Sequence, residues 1–304
     1  MNTALAIDHG RPVVRRSSVL RYWQGRLRGS EFTWAVAFVV PYIGVFLAFV
    51  VYPVLYGAWM GSDPHLYTQL FSDPIYLQTV ANTLIFLAVG VNIKLFLALL
   101  LSGFFMRPGW LMKGLLLIFV LPWAIPALPT FISIHWMLNG EWGLLNNALY
   151  ILFGIEGPSW LNERWLALGS AICAHIWKWL PFWTVILLAG RMSIPQDIYD
   201  AAKVDGATGL RSFMHVTFPM LANLYLVLTL LATIFLLGDF NSVTFVTGGG
   251  PANSTHVLAT LGIRNAYDMG HPELGVAAVM SALPLMIPLV IILMRKLRTS
   301  DVQL

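Results

Sequence analysis

Apolar residues along this chain gather into long blocks that short polar stretches separate. Six blocks lie near residues 34–57, 79–105, 114–138, 165–190, 220–246 and 275–294. Blocks of about 20 residues are long enough to cross a hydrocarbon layer roughly 30 Å thick as α-helices. A helix in a soluble protein needs only one apolar face. These blocks are apolar on all sides, which a soluble core does not require. The pattern predicts an all-α integral membrane protein with six transmembrane helices.

Composition supports this prediction. Of the 304 residues, 58% are hydrophobic and 11% are charged, whereas a soluble domain carries roughly a quarter charged residues. The first block follows a basic stretch, as in a signal peptide, but it exceeds the usual apolar region of about 7 to 15 residues and lacks a small-residue cleavage pattern. We therefore expect a basic cytoplasmic tail at residues 1–33 and a transmembrane domain at residues 34–304.

Basic residues predict the orientation, because Lys and Arg near span ends favour the cytoplasmic side. With the N-terminus inside, the tail carries six of them, the two inner loops carry two and three, and the C-terminal end carries three. The three outer loops hold Arg164 and Arg264. Both termini are thus expected in the cytoplasm. Topology and anionic lipid account for the basic tail of this chain, whose net charge is +4, so nucleic acid is not needed to explain it.

Catalytic motifs are missing from the sequence. It contains no G-x-x-x-x-G-K-[ST], H-E-x-x-H or G-x-S-x-G pattern, so we expect no ATP-binding P-loop, no catalytic residue and no metal site. Cys173 is the only cysteine and lies in an apolar block. It excludes a disulfide within the chain and is expected to be an ordinary buried thiol.

The second inner loop, residues 192–219, predicts two short helices in the cytoplasm. Ser193 with Gln196 fits a capping box that would begin the first helix, and Gly206 can end it. A second short helix is expected from Leu210 to Phe218. Two adjacent alanines give the first helix a flat face suited to close docking, although a plain structured connector explains the loop equally well.

This loop contains a distinctive sequence motif, formed by Asp200-Ala201-Ala202, Gly206, Val216, Phe218 and Pro219. It matches the spacing E-A-A-x3-G-x9-I-x-L-P, with Asp, Val and Phe in place of Glu, Ile and Leu. The loop therefore resembles the coupling loop of binding-protein-dependent ABC importer permeases. A likeness to their maltose-type carbohydrate members covers roughly residues 35–295, and it includes Leu121-Pro122-Trp123, Pro181-Phe182 and Gly249-Gly250-Pro251.

The resemblance implies a type I ABC importer permease bundle. Such a permease passes a sugar or sugar-like solute (oligosaccharide, monosaccharide, polyol or glycoside) from an extracytoplasmic solute-binding protein to the cytoplasm by alternating access. It implies a second related permease subunit and two cytoplasmic ATPase subunits that bind Mg-ATP, so this chain would need no cofactor of its own. By resemblance, ATPase coupling falls to Asp200, Ala201, Ala202, Asp205, Gly206 and Pro219.

Charged residues inside spans are costly and usually face protein or water. Lys94 lies in the second block, Lys178 in the fourth and Asp239 in the fifth. Either Lys178 and Asp239 pair to hold two helices together, or they line the solute path, where an anionic solute such as a sugar acid would use Lys178. Lys94 is expected to bond polar groups rather than ligand. By resemblance, the solute-pathway candidates are His175, Lys178, Trp179, Asp239 and Asn241.

Tryptophans and prolines add two expectations. Trp177, Trp179 and Trp183 could supply apolar faces for sugar rings, but Trp177 and Trp179 cannot point the same way on a helix, so one should pack against neighbours or lipid. Three prolines on roughly one side of the third block remove backbone donors and predict a kink, whether for gating or for static packing. They are Pro122, Pro126 and Pro129.

Two other classes of protein compete with the importer permease. An autonomous proton-coupled secondary transporter would use Lys94, Asp239 and the histidines as a relay. Six spans without a detectable repeat are few for that class, and the coupling loop would be unexplained. A membrane-embedded enzyme would need a catalytic motif that the sequence lacks.

Overall fold

The computed structural model describes residues 30–300, with side chains described for residues 34–297. The predicted basic tail at residues 1–33 therefore lies outside the described side chains. One compact unit ends at Gly57 and a second begins at Ala58. Every regular element in the described part of the chain is helical, as predicted.

The helices are numbered here in chain order. They are α1 (Ser30–Phe46), α2 (Tyr52–Met60), α3 (Pro64–Ser72), α4 (Pro74–Phe105), α5 (Trp110–Ala124), α6 (Ala127–Met137), α7 (Leu144–Phe153), α8 (Arg164–Met192), α9 (Gln196–Val204), α10 (Leu210–Ser212), α11 (Phe218–Leu237), α12 (Asn241–Val246), α13 (Leu258–Ile263), α14 (Pro272–Met280) and α15 (Leu283–Ser300). Three π-helical turns lie at Leu47–Val51, Phe213–Thr217 and Arg264–Asp268.

Five helical segments in the described chain are long and apolar enough to cross a membrane, and a broken helix pair provides a sixth candidate. The single segments are Trp34–Met60, Pro74–Phe105, Arg164–Met192, Leu210–Leu237 and Pro272–Leu297. The broken pair is α5 with α6. These candidates correspond one for one to the six predicted apolar blocks.

Two of the π-helical turns end two residues before a proline. Leu47–Val51 precedes Pro53, and Phe213–Thr217 precedes Pro219. Proline lacks an N–H for the α-helical bond, and its ring presses on the carbonyl four residues back. A wider turn at this place accommodates the proline without ending the helix. The residues from Leu210 to Leu237 therefore form one nearly continuous helical run.

The loop at residues 192–219 differs from prediction in two ways. The predicted second short helix is not separate but continues into α11. The capping box is wrong, because Ser193 has helical backbone angles and donates its hydroxyl to the Gly190 carbonyl at 2.7 Å. Gln196 donates to Asp200 Oδ1 at 3.3 Å instead of to the residue before the helix. α9 begins after Pro195 without a side-chain cap.

The second span begins earlier than predicted, because Asp73 caps it. The Asp73 carboxylate accepts from the Ile75 N–H at 2.8 Å, and the first helical residue is a proline. Both features favour a helix start at this point. The fifth span ends earlier than predicted, at Leu237, where Gly238, Asp239 and Phe240 separate it from the short helix α12.

The third span is bent by 94° between α5 and α6. Ile125 has an extended backbone there, and Pro126 is the N-cap of the second segment. The predicted kink is confirmed, and it divides the span into two helices.

The main core lies where α4 and α8 pack along each other, with α11 and α12 closing around them. The buried apolar side chains of this core come from all four helices, which fixes their mutual packing. They include Phe86, Leu95, Leu168, Leu187, Leu228, Ala232, Val243 and Val246.

Candidate functional site

A cavity of about 380 Å³ opens between α4, α5, α8, the end of α11 and the start of α12. Five aromatic side chains form most of its wall: Trp123, Trp179, Phe182, Trp183 and Phe235. Four polar side chains converge on it: Lys94, His175, Asp239 and Asn241. Its size and its apolar wall with few polar groups are typical of small-molecule sites.

His175 is the centre of a buried polar cluster in the cavity wall. Its Nδ1 lies 2.6 Å from Asp239 Oδ2, and its Nε2 lies 3.0 Å from Lys94 Nζ. Because a carboxylate can only accept, Nδ1 carries the hydrogen, and Nε2 accepts from the lysine. The three residues form a chain of hydrogen bonds from α4 through α8 to the turn before α12.

Asp239 is held by further donors close to it in sequence. The Ser242 hydroxyl donates to its Oδ2, and the Ser242 N–H lies 3.3 Å from its Oδ1. With His175, the carboxylate therefore accepts from three groups. Buried carboxylates need such bonds, since an unpaired charge in a low-dielectric interior is costly.

Lys178 does not pair with Asp239, so that interpretation is wrong. The Lys178 ammonium donates to the carbonyls of Pro122 at 2.6 Å, Trp123 at 3.3 Å and Ile125. The side chain is 1% exposed. It caps the carboxyl end of α5, where a cation also interacts favourably with the helix dipole.

The prolines explain why these carbonyls need a lysine. In an unbroken helix, the Pro122 carbonyl would accept from residue 126 and the Ile125 carbonyl from residue 129. Both of those residues are prolines, which have no N–H. Lys178 supplies the missing donors. It also holds the end of α5 where Trp123 stacks on Phe182, with ring centroids 5.6 Å apart, as part of the cavity wall.

The fourth span presents two different faces. Trp179 lines the cavity, whereas Trp177 is half exposed on another side, as expected for residues two apart on a helix. Cys173 is also exposed, so the expectation of a buried thiol is wrong. It lies with Trp177 along an apolar groove beside α6 and α7.

Four of the five predicted solute-pathway residues thus lie in one cavity: His175, Trp179, Asp239 and Asn241. Lys178 is not among the described residues that line it. Sequence reasoning missed the cavity role of Phe235 and underrated Lys94, which meets His175 from another helix. A lysine inside an apolar span was the available signal for Lys94.

Five of the six coupling candidates lie on or just after α9, and the sixth, Pro219, is the second residue of α11. Gly206 adopts φ +77°, its N–H lies 3.0 Å from the Lys203 carbonyl, and the Ala207 N–H lies 2.8 Å from the Ala202 carbonyl. These bonds form a Schellman motif, which only a residue tolerant of positive φ can complete. Gly206 therefore ends α9 as predicted.

One side of α9 is polar and exposed, and the other packs against the rest of the protein. Asp200 is exposed, and its hydrogen bond from Lys203 at 2.7 Å holds the pKa of its carboxyl below the usual value. Ala202 is buried. The Tyr199 hydroxyl lies 3.1 Å from Thr217 Oγ1 at the base of the fifth span. This bond connects α9 to the long helix that leads to the cavity.

His256 lies in the segment between the fifth and sixth candidate spans. Its ring contacts Thr260 Oγ1 at 3.0 Å and Asn253 Oδ1 at 3.3 Å. Burial, and then the positive charge of Arg264, lower its pKa to about 4, although Asp268 acts in the opposite direction. The imidazole is therefore neutral at pH 7.

This shift predicts acid sensitivity. Between about pH 6.5 and 4 the unfolded chain binds a proton that the folded chain does not, so stability falls as pH decreases through that window and is full above it. We expect the melting temperature of the purified complex to fall with pH there, and His256→Gln to flatten this dependence. His271→Gln, at an exposed histidine, is the control. An unchanged profile in His256→Gln would contradict the prediction.

The family model for the binding-protein-dependent transport system inner membrane component matches residues 94–298, more than half of the chain. The chain therefore belongs to this family of ABC importer permeases, as the coupling-loop motif predicted, and it is an inner-membrane component.

Individual relatives cover most of the chain. The sulfoquinovosyl glycerol transport system permease protein SmoG of Agrobacterium fabrum is 35% identical over 241 residues, 77% of this chain and 76% of that protein. The trehalose/maltose transport system permease protein MalF of Thermococcus litoralis is 30% identical over 268 residues, 83% and 89% of the two chains.

A solved structure shares the fold. A chain in the crystal structure of a bacterial alginate ABC transporter, in complex with an alginate pentasaccharide-bound periplasmic protein, superposes with a TM-score of 0.80 at 21% identity, covering 90% of this chain and 96% of that one. The predicted permease bundle is confirmed by this likeness.

Proposed function

We propose that this chain forms, with a second related permease subunit, the path by which a sugar or sugar-like solute enters the cytoplasm. The cavity between α4, α5, α8 and α11 is the observation that supports this most directly. Its aromatic faces suit the C–H surfaces of sugar rings, and its few polar groups suit hydroxyls. The relatives and the solved neighbour are named for a glycoside, for disaccharides and for alginate, which supports a saccharide-type cargo.

Energy for transport is proposed to come from two cytoplasmic ATPase subunits, which bind Mg-ATP, while this chain is not itself an enzyme. Asp200, Ala201, Ala202, Asp205 and Gly206 would dock α9 on an ATPase, with both termini and the loop at residues 192–219 in the cytoplasm. The Tyr199–Thr217 bond would pass the movement of α9 to the fifth span. The spans then rock between outward and inward openings around the cavity.

A proton-coupled secondary transporter is not favoured. Lys94, His175 and Asp239 do form a connected chain, as a relay would require. An autonomous carrier, however, would not belong to this family, and it would have no use for a coupling loop.

The test is ATP hydrolysis by the complex of this chain with the permease, ATPase and binding protein encoded beside its gene, reconstituted in lipid. We expect several-fold stimulation when the binding protein is loaded with one member of a panel of sugars, sugar acids and polyols. The unloaded binding protein is the control. A complex that assembles but hydrolyses ATP equally with every loaded and unloaded form would contradict a saccharide-type cargo.

A further inference from the structure

We propose that the transported solute carries an anionic group, a carboxylate or another oxyanion, and that the Lys94 ammonium binds this group in the cavity. The inference deepens the proposed function, on which it rests, by naming the charge class of the cargo. The argument depends on how the charges of the buried cluster are satisfied.

Lys94 has unused hydrogen-bonding capacity. Its side chain is 1% exposed and lines the cavity. An ammonium group has three N–H donors. Among the described residues, the His175 Nε2 at 3.0 Å is its hydrogen-bond acceptor, and the Trp183 ring lies 5.5 Å away beneath the charge. A buried cation of this kind favours a further acceptor.

Asp239 does not supply that acceptor. Its oxygens accept from His175 and from the hydroxyl and N–H of Ser242, and the imidazole ring stands between its carboxylate and Lys94. Its oxygens are therefore occupied by neutral donors, and its charge acts on Lys94 across the imidazole without a direct hydrogen bond. Asp239 is also the only carboxylate among the described residues that line the cavity.

Lys178 cannot take the role that the sequence suggested for it. Its ammonium already donates to three backbone carbonyls, and it is absent from the described cavity wall. Among the described residues that line the cavity, Lys94 is consequently the cation that a solute would meet. The rest of the wall is mostly aromatic, so the interaction takes place where water screens little.

An anion satisfies this site better than a neutral hydroxyl. Hydrogen bonds between a cation and an anion are roughly twice as strong as neutral ones. A cationic solute would be repelled by Lys94. The aromatic faces beside it then hold the sugar ring, while the amide of Asn241 remains for hydroxyls.

The experiment measures direct binding to the complex of permeases and ATPases in lipid nanodiscs by titration calorimetry. The probes are two matched pairs, galactose with galacturonate and glucose with glucuronate, whose members differ in a hydroxymethyl or carboxylate at one carbon. We expect the acid of at least one pair to bind at least tenfold more tightly than its neutral partner. Lys94→Met should abolish this preference, and Lys94→Arg, which keeps the charge, should retain most of it.

Three results would overturn the proposal: equal or tighter binding of both neutral sugars, binding of none of the four probes, or an acid preference that survives in Lys94→Met. The wild-type ratio needs no variant, so it decides the charge class of the cargo even if Lys94→Met fails to assemble. Neutral-sugar binding would leave the proposed function intact. The stimulation of ATP hydrolysis by a loaded binding protein tests that function separately.

Discussion

Replacing Lys178 with methionine is expected to destabilise the assembled permease by about 3 kcal/mol or more, because three backbone carbonyls lose their donor in a buried position. Methionine matches the length of the lysine stem, so little packing volume is lost. We expect a lower melting temperature for the complex in detergent. Lys113→Met, at an exposed lysine near the start of α5, should leave it unchanged.

The prolines provide a rescue that isolates the cause. Alanine at positions 126 and 129 restores N–H donors to the carbonyls of Pro122 and Ile125. The triple variant Lys178→Met, Pro126→Ala, Pro129→Ala should therefore regain stability. It should not regain transport, because a straightened span would carry Trp123 away from Phe182 and remodel the cavity wall.

The alternative role for Lys178 gives the opposite result. If this lysine binds solute, Lys178→Met keeps its melting temperature and loses only affinity, and the proline substitutions rescue nothing. Measuring melting temperature and solute uptake on the same preparations separates the two.

The spans were predictable from sequence, because length and apolarity alone decide whether a helix can cross a membrane. The bend of the third span was predictable too, since a proline removes a hydrogen bond wherever it lies in a helix. The partners of Lys178 and Asp239 were not. His175 lies 64 residues from Asp239 and 81 from Lys94, and which side chains meet over such separations depends on how α4, α8 and α12 pack.

The coupling loop, too, was predictable from sequence only in part. The motif spacing located α9 and its end at Gly206, because a Schellman motif depends on a few adjacent residues. The capping box failed since α8 continues to Met192, which leaves Ser193 in helical geometry, whereas an N-cap needs an extended backbone. Pro219 did not begin a new helix, because the preceding π-helical turn carries the chain through it.

Gly206→Asp is expected to reduce solute uptake at least tenfold while the permease still inserts and assembles. A Cβ at Gly206 would meet no atom within 4 Å, so the chain itself has room for the side chain. The positive φ costs about 1 kcal/mol, which a folded bundle tolerates. The effect should therefore arise at the surface that α9 presents to the ATPase, where the variant places a carboxylate beside Asp205 and near Asp200.

Two control variants separate docking from backbone strain. Gly206→Ala has the same φ without the charge and should retain most uptake. Gly209→Asp places a carboxylate at another positive-φ glycine with open space, φ +55°, at a position that the matched motif leaves unspecified, and should impair uptake less than Gly206→Asp. The measurement compares uptake with ATP hydrolysis in the same proteoliposomes. Hydrolysis that no longer responds to the loaded binding protein, with assembly intact, places the defect at coupling. Full uptake by Gly206→Asp would remove Gly206 from the coupling surface, and an equal loss in Gly206→Ala would assign the effect to the end of α9 rather than to its docking.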